Sequence, residues 1–256
     1  MIKEVKYKNE SGFTFCVKNK KPYYCEKIDA VGLNGIFTSD TLARAIGQLT
    51  TYKSVGARTV VCDFAVWLTD KRDRTDKLNH IINVFDPTKS GILTLTTDKE
   101  TYSIECYPSA EPSIPMDSDV NTVYRFTVDF ICDYPYFRQQ GIITKVLKSG
   151  INVIHSSSVP DTPVEIYIPD CSKGAIIQFR NSLGDNTLNI LAVDGAVTID
   201  TNTFTAITES GEDVTNRVNL SSKIENCMLT YGKNEIILNV PESAKLSYYN
   251  LALGVI

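Results

Sequence analysis

The chain has 256 residues, 43% of them hydrophobic, and 26 Lys and Arg against 30 Asp and Glu leave a formal net charge of −4. That length and apolar content suit one large or two ordinary folded domains and exclude a disordered chain; without any basic block, the charge also excludes a protein that wraps duplex nucleic acid. No apolar run is long enough to span a membrane, and the opening MIKEVKYKNESGFTF has no apolar targeting segment, so a soluble protein that stays where it is made is expected.

In chain order, TFCVK near residue 15, YYCEKIDAV (23–31) and RTVVCDFAVWL (58–68) are rich in β-branched and aromatic residues and predict strands. In the last of them Val60, Cys62, Phe64, Val66 and Leu68 share one face. The period then changes. Leu78, Ile81, Ile82 and Phe85 fall at i, i+3, i+4 and i+7, which predicts an amphipathic helix over about 72–85. Asp70, Asp73 and Asp76 suit its positive end, and Pro87 closes the segment. GILTLTT and ETYSIECY predict a hairpin around Asp98 and Lys99, followed by the loop PSAEPSIPMDSD with its three prolines.

RFTVDFICDYPYF (125–137) alternates again, with Phe126, Val128, Phe130 and Cys132 on one face and Arg125, Thr127 and Asp129 on the other. Pro135 cannot donate to a strand ladder, so the corner ends this strand. We place a domain boundary there, giving domains 1–138 and 139–256. Beyond it come short strands at regular spacing: IITKVL, PVEIYI, AIIQFRN, TLNILAV, the VTIDTNTFTAI pair, NCMLTYG, NEIILNV and LSYYNLAL. Turns at 182–186, Asp194-Gly195 and Ser210-Gly211 separate them, the pattern of an antiparallel sandwich.

Candidate chemistry is sparse. The seven cysteines, at 16, 25, 62, 106, 132, 171 and 227, are odd in number and contain no C-x-x-C pair, so buried free thiols are expected. MDSDVN (116–121) offers Asp117, Asp119 and Asn121 at EF-hand spacing, but Thr122 and Val128 stand where that loop needs Gly and Glu. No nucleophile elbow, P-loop, zincin or dinucleotide motif occurs, and nothing singles out two of the carboxylates. His80 on the helix and His155 in the loop HSSS read as structural or solvated. No catalytic, cofactor-binding or metal-ligating residue is therefore assigned. The rival is a sugar-binding sandwich, but the only Trp is Trp67 in the first domain, and the second has only Tyr167, Phe179, Phe204, Tyr231, Tyr248 and Tyr249 to share between core and surface.

Several features in order resemble the siphophage distal tail protein family. They are the strand F-x-V-x-F-x-C leading to an aromatic-Pro-aromatic corner (126–137), and the helix with INVFDP before SGILTL. In the second half they are the turn at 181–185, Asp194-Gly195 before IDTNT, and the turn Tyr231-Gly232-Lys233-Asn234 where the family usually carries Pro-Gly-x-Asn. The resemblance implies a mainly β fold: an N-terminal split-barrel domain with one α-helix, then a C-terminal galectin-like antiparallel β-sandwich. It further implies a structural hub, not an enzyme, in the virion tail of a phage or tail-like particle assembled in the bacterial cytoplasm. As a homo-hexameric ring the hub would join the tail tube protein to the tail-tip protein and carry receptor-binding parts. DNA would pass its lumen without specific binding, and no membrane or cofactor is implied. The sandwich lacks the His, Asn, Arg and Trp set by which galectins hold a sugar, which favours scaffold over carbohydrate-binding adhesin. The segments 32–40 and 108–119 are the turn-rich pieces expected to reach a neighbouring subunit.

Overall fold

A computed structural model describes residues 2–18, 20–30, 32–40, 49–68, 71–113, 123–158, 160–219, 222–240 and 243–255. The fold is mainly β, with one α-helix among the described residues, and divides into two units: Met1–Gln140 together with Leu253–Ile256, and Gly141–Ala252. The last four residues thus belong with the first unit, where the sequence suggested that 139–256 formed the second throughout.

The first unit contains β1 (Ile2–Asn9), β2 (Thr14–Val17), β3 (Tyr23–Asp29), β4 (Gly35–Asp40), β5 (Leu49–Val55), β6 (Arg58–Trp67), α1 (Lys71–Val84), β7 (Gly91–Thr97), β8 (Thr101–Pro108), β9 (Val123–Cys132) and β10 (Phe137–Gln139). Antiparallel pairing runs in the order β2-β1-β7-β8-β9-β6-β3. The two edges of this sheet, β2 and β3, curl together without a ladder: the rings of Phe15 and Tyr23 meet edge-on at 4.7 Å. Tyr7, Phe15, Phe64, Phe126 and Phe130 point inward around Phe85, which follows the helix and lies 5.1–6.0 Å from each of them. Aromatic pairs at such spacing add to the free energy of burial.

Helix α1 is fastened to strands that flank the open seam. His80 Nε2 donates to the Thr14 carbonyl on β2 at 3.0 Å, and Lys77 Nζ donates to the Trp67 carbonyl ending β6 at 3.3 Å. At the helix C-terminus, where carbonyls lose their intrahelical partners, the buried Asn9 amide donates to the carbonyls of Asn83 (3.0 Å) and Val84 (3.1 Å). Its Oδ1 accepts the Phe13 N–H. Ile82 was expected on the apolar stripe but is exposed, while Leu78, Ile81, Val84 and Phe85 are buried. At 100° per residue those four centre the stripe on Ile81 and leave Ile82 about 100° to its side.

Phe126, Val128, Phe130 and Cys132 face the core, and the first unit runs on three residues past the corner, to Gln140. Pro135 and Phe137 are buried, and the chain reverses so that β10 pairs with β8, Arg138 opposite Ser103. At the start of β6, Arg58 is 1% exposed; it donates from Nε to the Gly32 carbonyl at 3.1 Å and from Nη2 to the Leu253 carbonyl, and its guanidinium lies over the Phe137 ring. Burial lowers its pKa, and Nη1 has no partner.

The second unit contains β11 (Ile143–Leu147), β12 (Gly150–Ser156), β13 (Glu165–Ile168), β14 (Ala175–Asn181), β15 (Gly184–Ile190), β16 (Val197–Asp200), β17 (Thr205–Thr208), β18 (Gly232–Asn239) and β19 (Ala244–Tyr248). They form two antiparallel sheets, β11-β19-β13-β16-β17 and β12-β18-β14-β15. Ile166, Ile199 and Leu246 of one sheet and Ile177, Phe179, Leu188 and Ile236 of the other share a single buried core, which makes the unit a sandwich. Two sequence expectations fail here. NCMLTYG (226–232) follows a short 3₁₀ turn (Ile224–Asn226) and makes an isolated bridge from Leu229 to Thr162 in place of a strand. His155 lies exposed on β12 opposite Lys233, not in a loop.

One turn is used twice in this unit. At Tyr231-Gly232-Lys233-Asn234 the Asn234 amide donates to the carbonyls of Thr230 and Gly232, while its Oδ1 accepts the Thr230 N–H. At Ser149-Gly150-Ile151-Asn152 the amide of Asn152 donates to the carbonyls of Lys148 and Gly150, and its Oδ1 accepts the Lys148 N–H. Both glycines take positive φ, 90° and 97°, which a side chain would strain. Each turn starts one member of the β12–β18 pair, so the two stand at opposite ends of that ladder.

Candidate assembly surfaces

The first unit offers three surfaces. The first is the outer side of the seam, where β2 and β3 each pair on one side only among the described residues. Such edges pair with a neighbour unless they are covered. The second is the ribbon of β4 and β5, which pair with one another and, among the described residues, with no other strand. Near its base Ile36 and Val55 are exposed. A two-stranded ribbon is marginal by itself in water, so this one gains stability by lying against something. It includes the predicted reach segment 32–40; of the other segment, 108–119, residues 114–119 lie outside the described residues, as does the rejected calcium motif at 116–121.

The third surface is a cleft of about 600 Å³ beside β1, β7 and β8. Its lining includes Gly91 and Cys106, the tyrosines Tyr107 and Tyr134, and the acidic residues Glu10, Glu105 and Asp133. Arg138 Nη1 donates to Glu105 at 2.8 Å, and Lys89 stands 3.8 Å from Glu10. The ring of Tyr134 meets that of Tyr136 edge-on at 5.4 Å across Pro135, and the Arg138 guanidinium lies 5.4 Å from the Tyr134 ring. The corner expected to end a domain therefore builds a wall of this cleft.

Among the described residues neither histidine joins a cluster with a nucleophile or a carboxylate: His80 holds the helix to β2 and His155 is exposed on β12. Among the described residues no three His, Cys, Asp or Glu side chains stand together as a metal site, and no helix is long and apolar enough to cross a membrane. In the second unit Phe179 and Tyr248 are buried, Tyr167 carries Lys245 against its ring, and Phe204 and Tyr231 are exposed on different turns. The ribbon, β1 and β12 escaped the sequence reading. In β1 only Val5 and Tyr7 supply the inward apolar alternation, with Asn9 in the third inward position. The signal that would have found β12 is its Gly-x-Asn opening.

The fold made by these two units recurs among solved structures of phage tails. No protein-family model and no curated protein matches the chain. Among solved structures it is similar to the Dit (gp 19.1) protein of phage SPP1, described as a paradigm of the hub adsorption apparatus in phages infecting Gram-positive hosts. The TM-score is 0.73 at 11% identity, over 97% of this chain and 99% of that one. It is also similar to a chain of the phage p2 baseplate in its activated conformation with Sr, with a TM-score of 0.50 at 12% identity over 98% and 99% of the two chains.

Proposed function

We propose that this protein is a structural hub of a phage tail tip or baseplate, in which six copies close a ring that joins the tail tube to the tail-tip protein and carries host-attachment parts. The observation that carries this reading is the likeness to the SPP1 hub over both units, 97% of the chain, at a TM-score of 0.73. The surfaces agree with it. A head-to-tail contact that closes on itself uses strand edges and ribbon together and leaves a central opening, through which DNA passes without specific contacts. In this role the protein acts through its surfaces and not as an enzyme. The adhesin alternative is disfavoured because Phe179 and Tyr248 are spent in the core of the sandwich, which leaves few aromatics to stack on a sugar ring.

The test is assembly of the full chain across a concentration series, read by light scattering and negative-stain imaging, with and without a tail-tip protein. Rings are expected, each contact burying well over about 1,000 Å². A variant replaces residues 36–54 by a short Gly-Ser turn. Since the ribbon pairs with no other described strand, the variant is expected to keep its far-UV spectrum and lose the ring. A strict monomer under every condition overturns the hub; rings that persist in the ribbonless variant remove the ribbon from the contact.

A further inference from the structure

The inward-facing row at one end of the first unit runs across five strands. Asn9 pairs with Gly91, Gly91 with Cys106, and Cys132 with Arg58. Strands β8 and β9 pair Tyr107 with Ile131 and Pro108 with Phe130; one residue further the same register sets Cys106 opposite Cys132. Both side chains point inward, 4% and 0% exposed. Directly opposed residues of an antiparallel pair have Cα atoms about 4.5–5.5 Å apart, inside the roughly 4.4–6.8 Å that a disulfide bridges. Cys62 stands opposite Val128, four residues along β9, which is about 13 Å at strand rise and out of reach.

We propose that Cys106 and Cys132 are a cross-strand thiol pair that closes to a disulfide when the protein meets an oxidised low-molecular-weight disulfide. Cys106 is the entry thiol because it lines the cleft, and Gly91, beside it in the register, presents no side chain there. A side chain at 91 has no room in any case: its first carbon would lie 2.6 Å from the Tyr7 ring and the Lys8 carbonyl. The deprotonated Cys106 sulfur attacks one sulfur of the small disulfide, whose other half leaves as a thiolate. Cys132, deprotonated in turn, attacks the Cys106 sulfur and expels the second half. Two electrons pass from the cysteine sulfurs to the reagent, which ends as two thiols carrying the two cysteine protons. Burial holds the Cys106 thiol well above its ordinary range, so its reactive thiolate is scarce and closure is slow at neutral pH.

In the proposed hub role, which this step extends, the occasion for closure is passage from a reducing host interior to the outside. The cross-link itself requires no ring, so a monomer that forms it upholds the pair while counting against the hub. The full chain is purified under reductant, freed of it, and incubated with oxidised glutathione. Thiols are then counted in denaturant and peptides mapped without reduction. The count is expected to fall by two from seven, with Cys106 linked to Cys132 and the change reversed by dithiothreitol. Cys132→Ala is expected to trap Cys106 as the glutathionyl adduct, and Cys106→Ala to take up none at Cys132. Seven thiols persisting after days, or a cross-link that maps to any other pair or joins two chains, overturns the proposal. The wild-type map decides the matter even if a variant fails to fold.

Discussion

Two asparagines do the same work in unlike surroundings, which lets the cost of burial be read from one substitution. Asn234 is fully buried and also accepts from the Asn181 amide at 3.0 Å, whereas Asn152 is only half-buried. Asn234→Ala leaves the Thr230 N–H and carbonyl without partners or water, so a loss of about 2–3 kcal/mol is expected. Asn152→Ala opens a turn that water reaches, and a loss below about 1 kcal/mol is expected. Denaturant titration of the two variants checks this; equal losses would mean that the turn, and not burial, sets the cost. The Gly-x-Asn signature of both turns stands in the sequence. What it does not disclose is which amide ends in the core, since that depends on the Asn181 contact from a strand more than fifty residues away.

Alternation is the most legible feature at the scale of strands. It was read correctly in β6 and β9, where apolar side chains occupy the inward face. It follows that Phe130→Ala, which empties a fully buried site between Tyr7 and Phe85, costs about 3–5 kcal/mol. Thr127, outward on β9 and bonded to the exposed Asp63 carboxylate at 2.7 Å, costs under about 1 kcal/mol when changed to Ala. Comparable shifts in a denaturant melt would reverse the face assignment. The helix was legible to within one residue at its ends, but Ile82 shows what periodicity leaves open: several apolar stripes fit the same residues until the neighbouring strands choose one. The ribbon was not legible at all, because a strand without a core to face carries no alternation.

For the molecule as a whole, titration ties stability to pH in one direction. Burial raises the thiol of Cys62 and the phenol of Tyr7 in the first unit, and pushes Cys227 in the second up to about 12 from an ordinary 9.0. These groups are neutral when protonated, and the unfolded chain gives up its protons at lower pH than the folded one. Their contribution is therefore complete below about pH 9 and declines as pH rises from there. Melting temperature is expected to stay level from pH 7 to about 8.5 and then fall, with Cys227→Ala flattening the fall of the sandwich transition. A level curve to pH 11 would contradict the assignment. The change in strand spacing near residue 140 makes a division into two β domains visible as an expectation in the sequence. The return of the tail is not visible there, since LALGVI carries no mark of the unit it joins.

That return makes the sandwich an insertion, both of whose ends attach to the first unit. Tension applied between the two termini thus runs through the first unit, from β1 to the tail held at Leu253 by Arg58. Only when that latch slips does Ala252 come under load. In an optical trap the earliest rupture is therefore a short extension of a few residues, and Arg58→Ala is expected to erase it.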